Sequence, residues 1–210
     1  MTTTDTATGG SAAPRRTRMS PQQRRRQLLD LGEELATEQP LETVTIEAVA
    51  ERAGVSRALI FHYFESKQDF HLALVQEWAE EMQARTLPPE DVDDPLVMLT
   101  ASMTAYIDYV AENGDQFIAV LRGSLSTDPA MRNVAESTRS EMTRRILHHA
   151  PVLGIEVTGA VEMAVRGWTA FVEDVMIRWI TDPKLTREQV LGVLVGSLPA
   201  LAGAASLVAD

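Results

Sequence analysis

The sequence predicts an all-α fold in which a three-helix N-terminal domain precedes a larger helical C-terminal domain. Three observations favour this fold class. Apolar residues recur every three or four positions along most of the chain, which is the period of an amphipathic helix. Helix-capping signals begin several of these periodic segments. Proline and glycine fall mostly between the segments, and no long apolar–polar alternation indicates strands.

The first predicted helix begins at Ser20 and runs to about Ala36. Ser20 is the cap, Pro21 takes the first helical position, and Gln23 completes a capping box. The apolar face of this helix carries Leu28, Leu31 and Leu35. Residues 1–19 are rich in Thr, Ala, Gly, Ser and Arg and have almost nothing to bury, so we expect a disordered basic tail.

A second helix is predicted from Thr45 to Gly54, which ends it because glycine tolerates a left-handed turn. Its apolar face carries Ile46, Val49, Ala50 and Ala53. Ser56 caps a third, short helix that runs to about Phe64. A helix, a short turn containing glycine and a second short helix form the helix-turn-helix arrangement.

The capping residues Ser66 and Asp69 begin a long fourth helix that ends near Arg85. Phe70, Leu74 and Trp78 recur along it every four residues, with Val75 beside them. A linker rich in proline and acidic residues follows. Later helices are predicted at about 95–113, 115–124, 129–149, 156–181 and 187–208. Thr186 begins a capping box for the last helix, and Pro199 is expected to kink or break that helix.

The bulk composition is that of a soluble globular protein, with 45% apolar and 23% charged residues in 210. Cysteine is absent, which excludes disulfides and thiolate metal sites and is compatible with a cytoplasmic protein. The N-terminus lacks the apolar core of a secretion signal. The stretch from Val190 to Ala209 is uncharged over a membrane-spanning length. Its Gly and Ala content, its Pro199 and its lack of a C-terminal basic flank favour a buried helix and no membrane partner.

Charge is distributed unevenly along the chain. Residues 1–67 carry nine basic and nine acidic side chains, whereas residues 68–210 carry ten basic and twenty-one acidic ones. Six of the first nine basic residues lie between Arg15 and Arg26. A basic end on an acidic body indicates a local anionic partner, although a solvated charged tail has the same composition.

Side chains of the third helix are suited to double-stranded DNA. Small Ala50, flexible Gly54 and the anchors Val55 and Ile60 allow this helix to present its other side chains outward, toward a major groove. Arg57 is the residue on it that can grip guanine through two hydrogen bonds. The caps at Thr45 and Ser56 place free backbone N–H groups where phosphates would lie. The remaining candidates for phosphate or base contact are Leu59, Phe61, His62, Tyr63 and Lys67.

The aromatic residues of this stretch have an alternative interpretation, in which Phe61, Tyr63 and Phe64 belong to the core. We assign Phe64 to the core and leave Phe61 open. Tyr63 lies beside His62 and shortly before Lys67, and burial explains this trio less well because all three side chains end in polar atoms.

The stretch "TIEAVAERAGVSRALIFHYFESKQDF" resembles the DNA-binding domain of the TetR family of bacterial transcription regulators. The Ala-Gly-Val-Ser turn, the "HYF" triplet and the "SK" cap occur in order at the family's spacing. The resemblance covers about residues 20–75. It implies a homodimer that binds a pseudo-palindromic operator, and a C-terminal domain that binds a small-molecule effector. By position, it assigns phosphate contacts to Thr45, Ser56, His62, Tyr63 and Lys67, and base-facing places to Arg57, Ala58, Leu59 and Phe61.

The same resemblance extends to the start of the first helix, where Arg24 to Arg26 match the family's basic segment. Two positions depart from the family pattern, because Leu59 and Phe61 lack hydrogen-bonding groups that are common there. Base specificity is then expected to rest on Arg57 and apolar contacts. Glu47 either accepts from a cytosine amino group or serves only the helix N-terminus, and the second interpretation is favoured.

The resemblance divides the chain into a basic tail (residues 1–19), a helix-turn-helix domain (20–66) and a ligand-binding and dimerisation domain (67–210), whose first helix (67–85) connects the two. Large side chains on its helices are candidates for the wall of a cavity for an apolar ligand, although each can equally be ordinary core. These candidates are Tyr106, Tyr109, Phe117, Met142, Met163, Trp168 and Phe171. Polar candidates to orient a ligand are Arg122, Arg166 and Glu173, for which ion pairs are favoured instead.

The last predicted helix is apolar nearly all round, which is unusual for a surface helix. It is either a central core helix or part of a four-helix dimer interface, and its many glycines and alanines favour the interface. His148 and His149 lack further ligands at metal-binding spacing, so no metal or cofactor is expected. The leading hypothesis is a ligand-released repressor. The alternatives are an all-helical enzyme or carrier, which no catalytic constellation supports, and a regulator controlled by a partner protein.

Overall fold

The computed structural model describes residues 19–207, apart from the side chain of Ser124, and these residues form nine α-helices and three short 3₁₀ segments without any strand. The helices are α1 (Pro21–Glu38), α2 (Ile46–Ala53), α3 (Arg57–Ile60), α4 (Lys67–Arg85), α5 (Pro95–Glu112), α6 (Gly114–Leu121), α7 (Pro129–His149), α8 (Gly159–Thr181) and α9 (Arg187–Ser206). The 3₁₀ segments are Leu41–Thr43, Ser124–Thr127 and Ala150–Leu153. The predicted all-α class is confirmed. Residues 1–18 of the predicted basic tail lie outside the described residues.

The predicted helix starts are confirmed by the capping bonds themselves. Each capping side chain accepts a hydrogen bond from the backbone N–H three residues further on. These caps are Ser20, Thr45, Ser56, Ser66 and Thr186. At Ser20 and Thr186 the capping box is reciprocal, because the Gln three residues further on also accepts a hydrogen bond from the backbone N–H of the cap. Local chemistry therefore determines these starts.

Three predicted helices are shorter in the structure, and one of them, α6, ends at Leu121 and not near residue 124. Helix α3 ends at Ile60, and residues 61–63 continue as a turn, although the N–H of Phe61 still donates to Arg57 and that of Phe64 to Ile60. Helix α8 begins at Gly159, because the chain first turns at Gly154 with a φ of 70° and Thr158 then caps the helix.

Helix α9 continues through Pro199, so of the two predicted outcomes the local break is wrong and the kink stays a prediction. The residues on either side, Leu198 and Ala202, are buried against the C-terminal core. Their packing outweighs the one hydrogen bond that proline removes, as tertiary contacts often outweigh local propensity.

Helix α4 is shared between two hydrophobic cores. Phe70 and Leu74 near its start pack in the core of the N-terminal helices α1 to α3. That core also includes Leu125 and Met131, which lie far beyond the predicted domain boundary at residue 66. The end of α4 contributes Met82 to the second core, built mainly by α5, α8 and α9. A movement of α4 therefore affects both halves of the molecule.

Helix α9 is not a central core helix of the single chain, so the favoured alternative, a place in a dimer interface, stays a prediction. One face, which includes Val190 and Leu194, is buried, whereas Val193 and Leu201 on the other face are more than 40% exposed. Among residues 19–207, α9 is also the helix whose length and composition would suffice to cross a membrane, a property that core helices of soluble proteins share.

Candidate nucleic-acid interface and ligand cavity

The turn between α2 and α3 has the geometry that a helix-turn-helix requires. Gly54 adopts a left-handed conformation with a φ of 64°, and the N–H of Val55 donates back to Ala50 across the turn at 3.0 Å. Ala50 and Ile60 are buried where the two helices meet. Because these contacts use one side of α3, its other side chains are left at the surface.

The structure places seven of the nine predicted DNA-contacting residues fully at the surface. These are Thr45, Ser56, Arg57, Ala58, Phe61, His62 and Lys67. Leu59 and Tyr63 are half-buried, and Tyr63 packs against the N-terminal core while its ring meets His62 edge-on at 5.1 Å. Phe61 is 44% exposed and Phe64 is 2% exposed, so Phe64 belongs to the core as predicted and Phe61 does not.

Two contacts join neighbouring elements at this surface, one between α3 and α2 and one between α4 and the 3₁₀ segment Leu41–Thr43. The Nε atom of Arg57 lies 2.9 Å from Oε1 of Glu47, which joins the first turn of α3 to the first turn of α2. The Nζ atom of Lys67, at the start of α4, donates to the backbone carbonyl of Glu42 at 2.6 Å. We call the exposed residues that these contacts join, from Glu42 to Lys67, the α2–α3 face.

Glu47 has a partner that sequence reasoning missed. Both members of its ion pair with Arg57 are more than half exposed, at 55% and 60%. Exposed pairs of this kind contribute only about 0–1 kcal/mol. The ion pair therefore orients Arg57 in the free protein. It is weak enough to break when Arg57 binds another group more strongly. The signal in the sequence was the opposite charge ten residues apart, which becomes meaningful only once α2 and α3 cross.

Arginines at the start of α1 contact other residues of the protein and are less available to DNA than the resemblance implied. Arg26 pairs with Asp30 at 2.7 Å and also with Glu77 of α4, so it is neutralised within the protein. The guanidinium of Arg25 lies 5.1 Å from the centre of the Phe64 ring, a cation–π distance. Within the described part of the chain, Arg24 and Arg25 make no ion pair and stay available to an anion.

A cavity of about 400 Å³ lies among α4 to α9 in the C-terminal domain. Its wall is mostly apolar and includes both Trp78 of α4 and Trp168 of α8. Of the predicted ligand-contacting residues, five line it: Tyr106, Tyr109, Phe117, Met142 and Trp168. The volume is within the range of roughly 300–1,000 Å³ that small-molecule sites occupy.

Met163 and Phe171 do not line this cavity, and their assignment to it is corrected. Both belong to α8, but Met163 is 75% exposed and Phe171 is 38% exposed on its outer surface. Helical periodicity gave the spacing of large residues on α8 without showing which side its neighbours cover. Of the polar candidates, Glu173 lines the cavity, whereas Arg122 and Arg166 pair with Asp174 and Glu136 instead.

Two buried tyrosines of α5 line the cavity and make different contacts. Tyr109 donates to the backbone carbonyl of Trp78 at 3.0 Å, which ties α5 to α4. Tyr106 is 2% exposed, and its ring meets the ring of Phe117 edge-on with 6.1 Å between the ring centres. Burial raises the pKa of both phenols well above the ordinary value of 10, so both stay neutral and able to donate.

Sequence reasoning also missed Arg145, which lines the cavity from α7. It stands in the run "TRRILHHA", where it looks like part of a solvated charged face. In the structure it is half-buried and donates to the backbone carbonyls of Gln83 and Thr86 at 3.3–3.5 Å. Burial lowers the pKa of this guanidinium from its ordinary value.

Helices α8 and α9 carry an open face of small and apolar residues. A Cβ atom added at Gly167, Gly192, Gly196 or Gly203 would meet nothing within 4 Å. The exposed apolar side chains Met163, Phe171, Val193 and Leu201 stand on the same two helices. We call this set the α8–α9 face. Exposed apolar residues collected on two helices that pack together are typical of an interaction site.

Two protein-family models match the chain, one in its N-terminal part and one in its C-terminal part. Residues 28–74 match the family described as bacterial regulatory proteins, tetR family. Residues 95–201, about half of the chain, match the family described as Tetracyclin repressor-like, C-terminal domain. The two matches flank the second half of α4 and the following linker.

Individual relatives agree with these matches. The HTH-type transcriptional activator FasR of Mycolicibacterium smegmatis is 23% identical over 113 residues. That alignment covers 53% of this chain and 52% of the relative, so the chain spans about half the length of this curated relative. A tetR-family transcriptional regulator from Streptomyces coelicolor has a similar structure, with a TM-score of 0.79, 27% identity, and coverage of 90% of this chain and 84% of that one.

A third comparison concerns the fold alone. The fatty acid degradation regulator FadR from Bacillus halodurans superimposes with a TM-score of 0.61 at 15% identity. The match covers 89% of this chain and 97% of that chain. The order of helices is therefore retained among sequences that have diverged almost completely.

Proposed function

The chain belongs to the TetR family of DNA-binding transcriptional regulators, which are not enzymes, and from that premise we propose that it is a homodimeric, cytoplasmic repressor released from a pseudo-palindromic operator by a small, largely apolar ligand. Helix α4 carries this proposal. It begins at Lys67 on the α2–α3 face and ends beside the cavity, which Met82 lines. Occupation of the cavity can therefore reposition the DNA-contacting surface.

The exposed residues of the α2–α3 face support operator binding. Arg57 is positioned to reach a base edge, and the caps of α2 and α3 direct backbone N–H groups outward. His62, Tyr63 and Lys67 add donors for phosphate oxygens. Because the remainder of the chain is strongly acidic, non-specific attraction of the body to DNA is weak.

The α8–α9 face supports a homodimer. Two copies can pack α8 and α9 against each other as a four-helix interface, in which the open glycine positions allow the helices to approach closely. A two-fold dimer presents two copies of α3, which explains why the operator should be an inverted repeat with half-sites about one helical turn apart.

Selection of bound duplexes from a random DNA library at near-physiological salt tests operator binding. We expect an inverted repeat to be enriched, and we expect no such enrichment with the Lys67→Ala variant. The selection is repeated with protein that has been unfolded and refolded, which strips bound ligand. Failure to enrich any inverted repeat with both preparations contradicts the proposal.

The direction of regulation is tested with the selected operator placed before a reporter gene. The relative from Mycolicibacterium smegmatis is named as an activator, so the experiment is designed to distinguish repression from activation. Repression requires that reporter output rises when the gene for this protein is deleted. A fall in output would establish activation and would leave the operator-binding part of the proposal intact.

A further inference from the structure

The cavity wall contains three side chains that can carry charge: Arg145, His149 and Glu173. Glu173 already has its counter-charge, because both of its carboxylate oxygens accept from Arg139, at 2.7 and 3.1 Å. The charge of Arg145 is different. No carboxylate within residues 19–207 forms an ion pair with it, and the nearby Glu141 pairs with Arg144.

The hydrogen bonds that Arg145 does make are long. Its two terminal nitrogens donate to Gln83 O, Thr86 O and Thr86 Oγ1 at 3.3–3.5 Å. Ordinary N–H···O bonds are about 2.9–3.0 Å, and charge-assisted bonds to a carboxylate are about 2.7–2.9 Å. A half-buried guanidinium held only by long bonds to neutral oxygens is therefore an incompletely satisfied cation.

The position of Arg145 makes this charge available to a ligand. It lies on the cavity side of α7, and His149 lies one helical turn further on the same side. Tyr106, which also lines the wall, brings a hydroxyl group that can donate a hydrogen bond. The rest of the wall is mostly aromatic and aliphatic, so an anion that enters must bring an apolar body with it.

We propose that the ligand is an amphipathic carboxylate, a long apolar chain that ends in a carboxylate group, and that Arg145 binds the carboxylate. This inference rests on the proposed function in that it takes the cavity as the effector site. The apolar chain packs between Trp78, Trp168 and their neighbours, and the carboxylate supplies the counter-charge that Arg145 lacks.

Arg145 also gives the ligand a route to the DNA-contacting half. The carbonyls that it holds, Gln83 O and Thr86 O, lie at the C-terminal end of α4, where the helix dipole favours a cation. A carboxylate that draws the guanidinium into the cavity weakens these bonds and loosens the end of α4. Since the start of α4 carries Lys67, ligand binding and operator release are coupled through one helix.

Titration of the DNA-free protein with dodecanoate, below its critical micelle concentration, and with dodecanol, below its solubility limit, tests the proposal. Trp78 and Trp168 line the cavity, so tryptophan fluorescence reports occupancy directly. We expect wild type to bind dodecanoate at least about tenfold more tightly than dodecanol. Arg145→Gln should weaken dodecanoate binding by roughly 10- to 100-fold, the value of a hydrogen bond between charged groups, and leave dodecanol binding within about twofold.

Two further variants control for folding and for general charge. Arg145→Lys keeps the positive charge and should retain part of the preference for the acid. Arg144→Gln removes the neighbouring arginine, which is exposed and paired with Glu141, and should change neither affinity. Equal affinity of wild type for acid and alcohol, binding of neither probe, or an unchanged preference in Arg145→Gln would each overturn the proposal.

The outcome is independent of operator binding. If an inverted repeat is selected but acid and alcohol bind alike, the carboxylate assignment fails and the regulator remains. If the acid is preferred through Arg145 but no operator is found, the proposed function fails and the ligand site remains. With an operator in hand, dodecanoate should release wild type from it and should release Arg145→Gln only at a concentration about tenfold higher or more.

Discussion

At the scale of single residues, the properties of the α2–α3 face depend on the contacts that orient its few charged side chains. Arg57 is the base-contacting candidate with the strongest hydrogen-bonding capacity, and Glu47 holds it in the free protein at 2.9 Å. Leu59 and Phe61 beside it offer only apolar contacts. We therefore expect base specificity to depend mainly on Arg57, which a single substitution can test.

Substitution of Arg57 by alanine should remove about 1–3 kcal/mol of binding free energy on the selected operator and relax the preference at one base pair in each half-site. Fluorescence anisotropy with the operator and with single-base variants measures both effects. Arg52→Ala is a matched control, since Arg52 pairs with Glu38 at the other end of α2. An Arg57→Ala variant that retains full preference at every position would exclude base contact by this residue.

Substitution of Glu47 by glutamine should strengthen binding to operator and to scrambled DNA alike. The change removes a carboxylate that repels phosphates and frees Arg57 from its ion pair. We expect a several-fold gain at low salt that shrinks as salt is raised, measured by anisotropy at a series of salt concentrations. If operator binding instead weakens while scrambled DNA is unaffected, Glu47 accepts from a cytosine amino group.

His71 gives the N-terminal domain a pH-dependent stability. It is 5% exposed, and its Nε2 lies 3.0 Å from the carbonyl of Val44. Burial lowers the pKa of His71 below its ordinary value of 6.5. As pH falls through about 6.5, His71 takes up a proton in the unfolded chain but stays neutral in the folded chain. The free energy of unfolding therefore decreases.

The variant His71→Gln should be less sensitive to pH, because glutamine can donate to Val44 but does not titrate. Urea unfolding at about pH 7.5 and pH 5.5 measures the loss of stability in each protein. We expect the loss to be smaller in His71→Gln than in wild type. Parallel losses in the two proteins would show that other groups cause the acid sensitivity.

At the scale of elements, α1 and α4 approach each other closely at a glycine. A Cβ atom at Gly32 would lie 2.5 Å from Cζ of Phe70 and 3.1 Å from Cδ1 of Leu74. Phe70 is completely buried, and its ring meets the ring of Phe64 edge-on at 4.9 Å. The absence of a side chain at residue 32 therefore sets the distance between the first helix and the connecting helix.

The variant Gly32→Ala should lose about 1–3 kcal/mol of stability through overpacking, even though alanine is the better helix former. Gly167→Ala is the matched control, since it lies inside α8 and a Cβ there meets nothing within 4 Å. It should be neutral or slightly stabilising in the dissociated chain. Chemical denaturation of both variants tests the difference, and equal stability would show that α1 and α4 can separate at little cost.

At the scale of the whole molecule, the α8–α9 face and the α2–α3 face lie on different helices, and α4 spans the distance between cavity and DNA. The variant Gly196→Arg places a long charged side chain on the α8–α9 face, in open space within the single chain. The helix itself should not suffer, since arginine is a better helix former than glycine.

We expect Gly196→Arg to shift the protein toward monomers in sedimentation velocity and to lose operator affinity by more than tenfold, because one α3 then binds alone. Asn133→Arg adds the same charge at an exposed position of α7 and should remain dimeric. If Gly196→Arg stays a dimer with full affinity, the subunits meet elsewhere.

Local sequence alone sets the helix starts at Ser20, Thr45, Ser56, Ser66 and Thr186, and the helix-turn-helix around Gly54. A cap acts through a hydrogen bond that spans three residues, and a left-handed turn through the backbone of one residue. Both are therefore complete within a short stretch of sequence. The resemblance to TetR regulators rests on the same local features.

Tertiary packing, by contrast, sets which side of each long helix contacts which neighbouring helix. Large residues at helical spacing on α8 suited a cavity wall equally well at Met163 and at Trp168, yet one is exposed and the other lines the cavity. Arg145 looked like a surface charge until α4 and α7 packed together. Such contacts join residues about sixty positions apart, and their partners are set by packing of the whole domain, which helical periodicity does not encode.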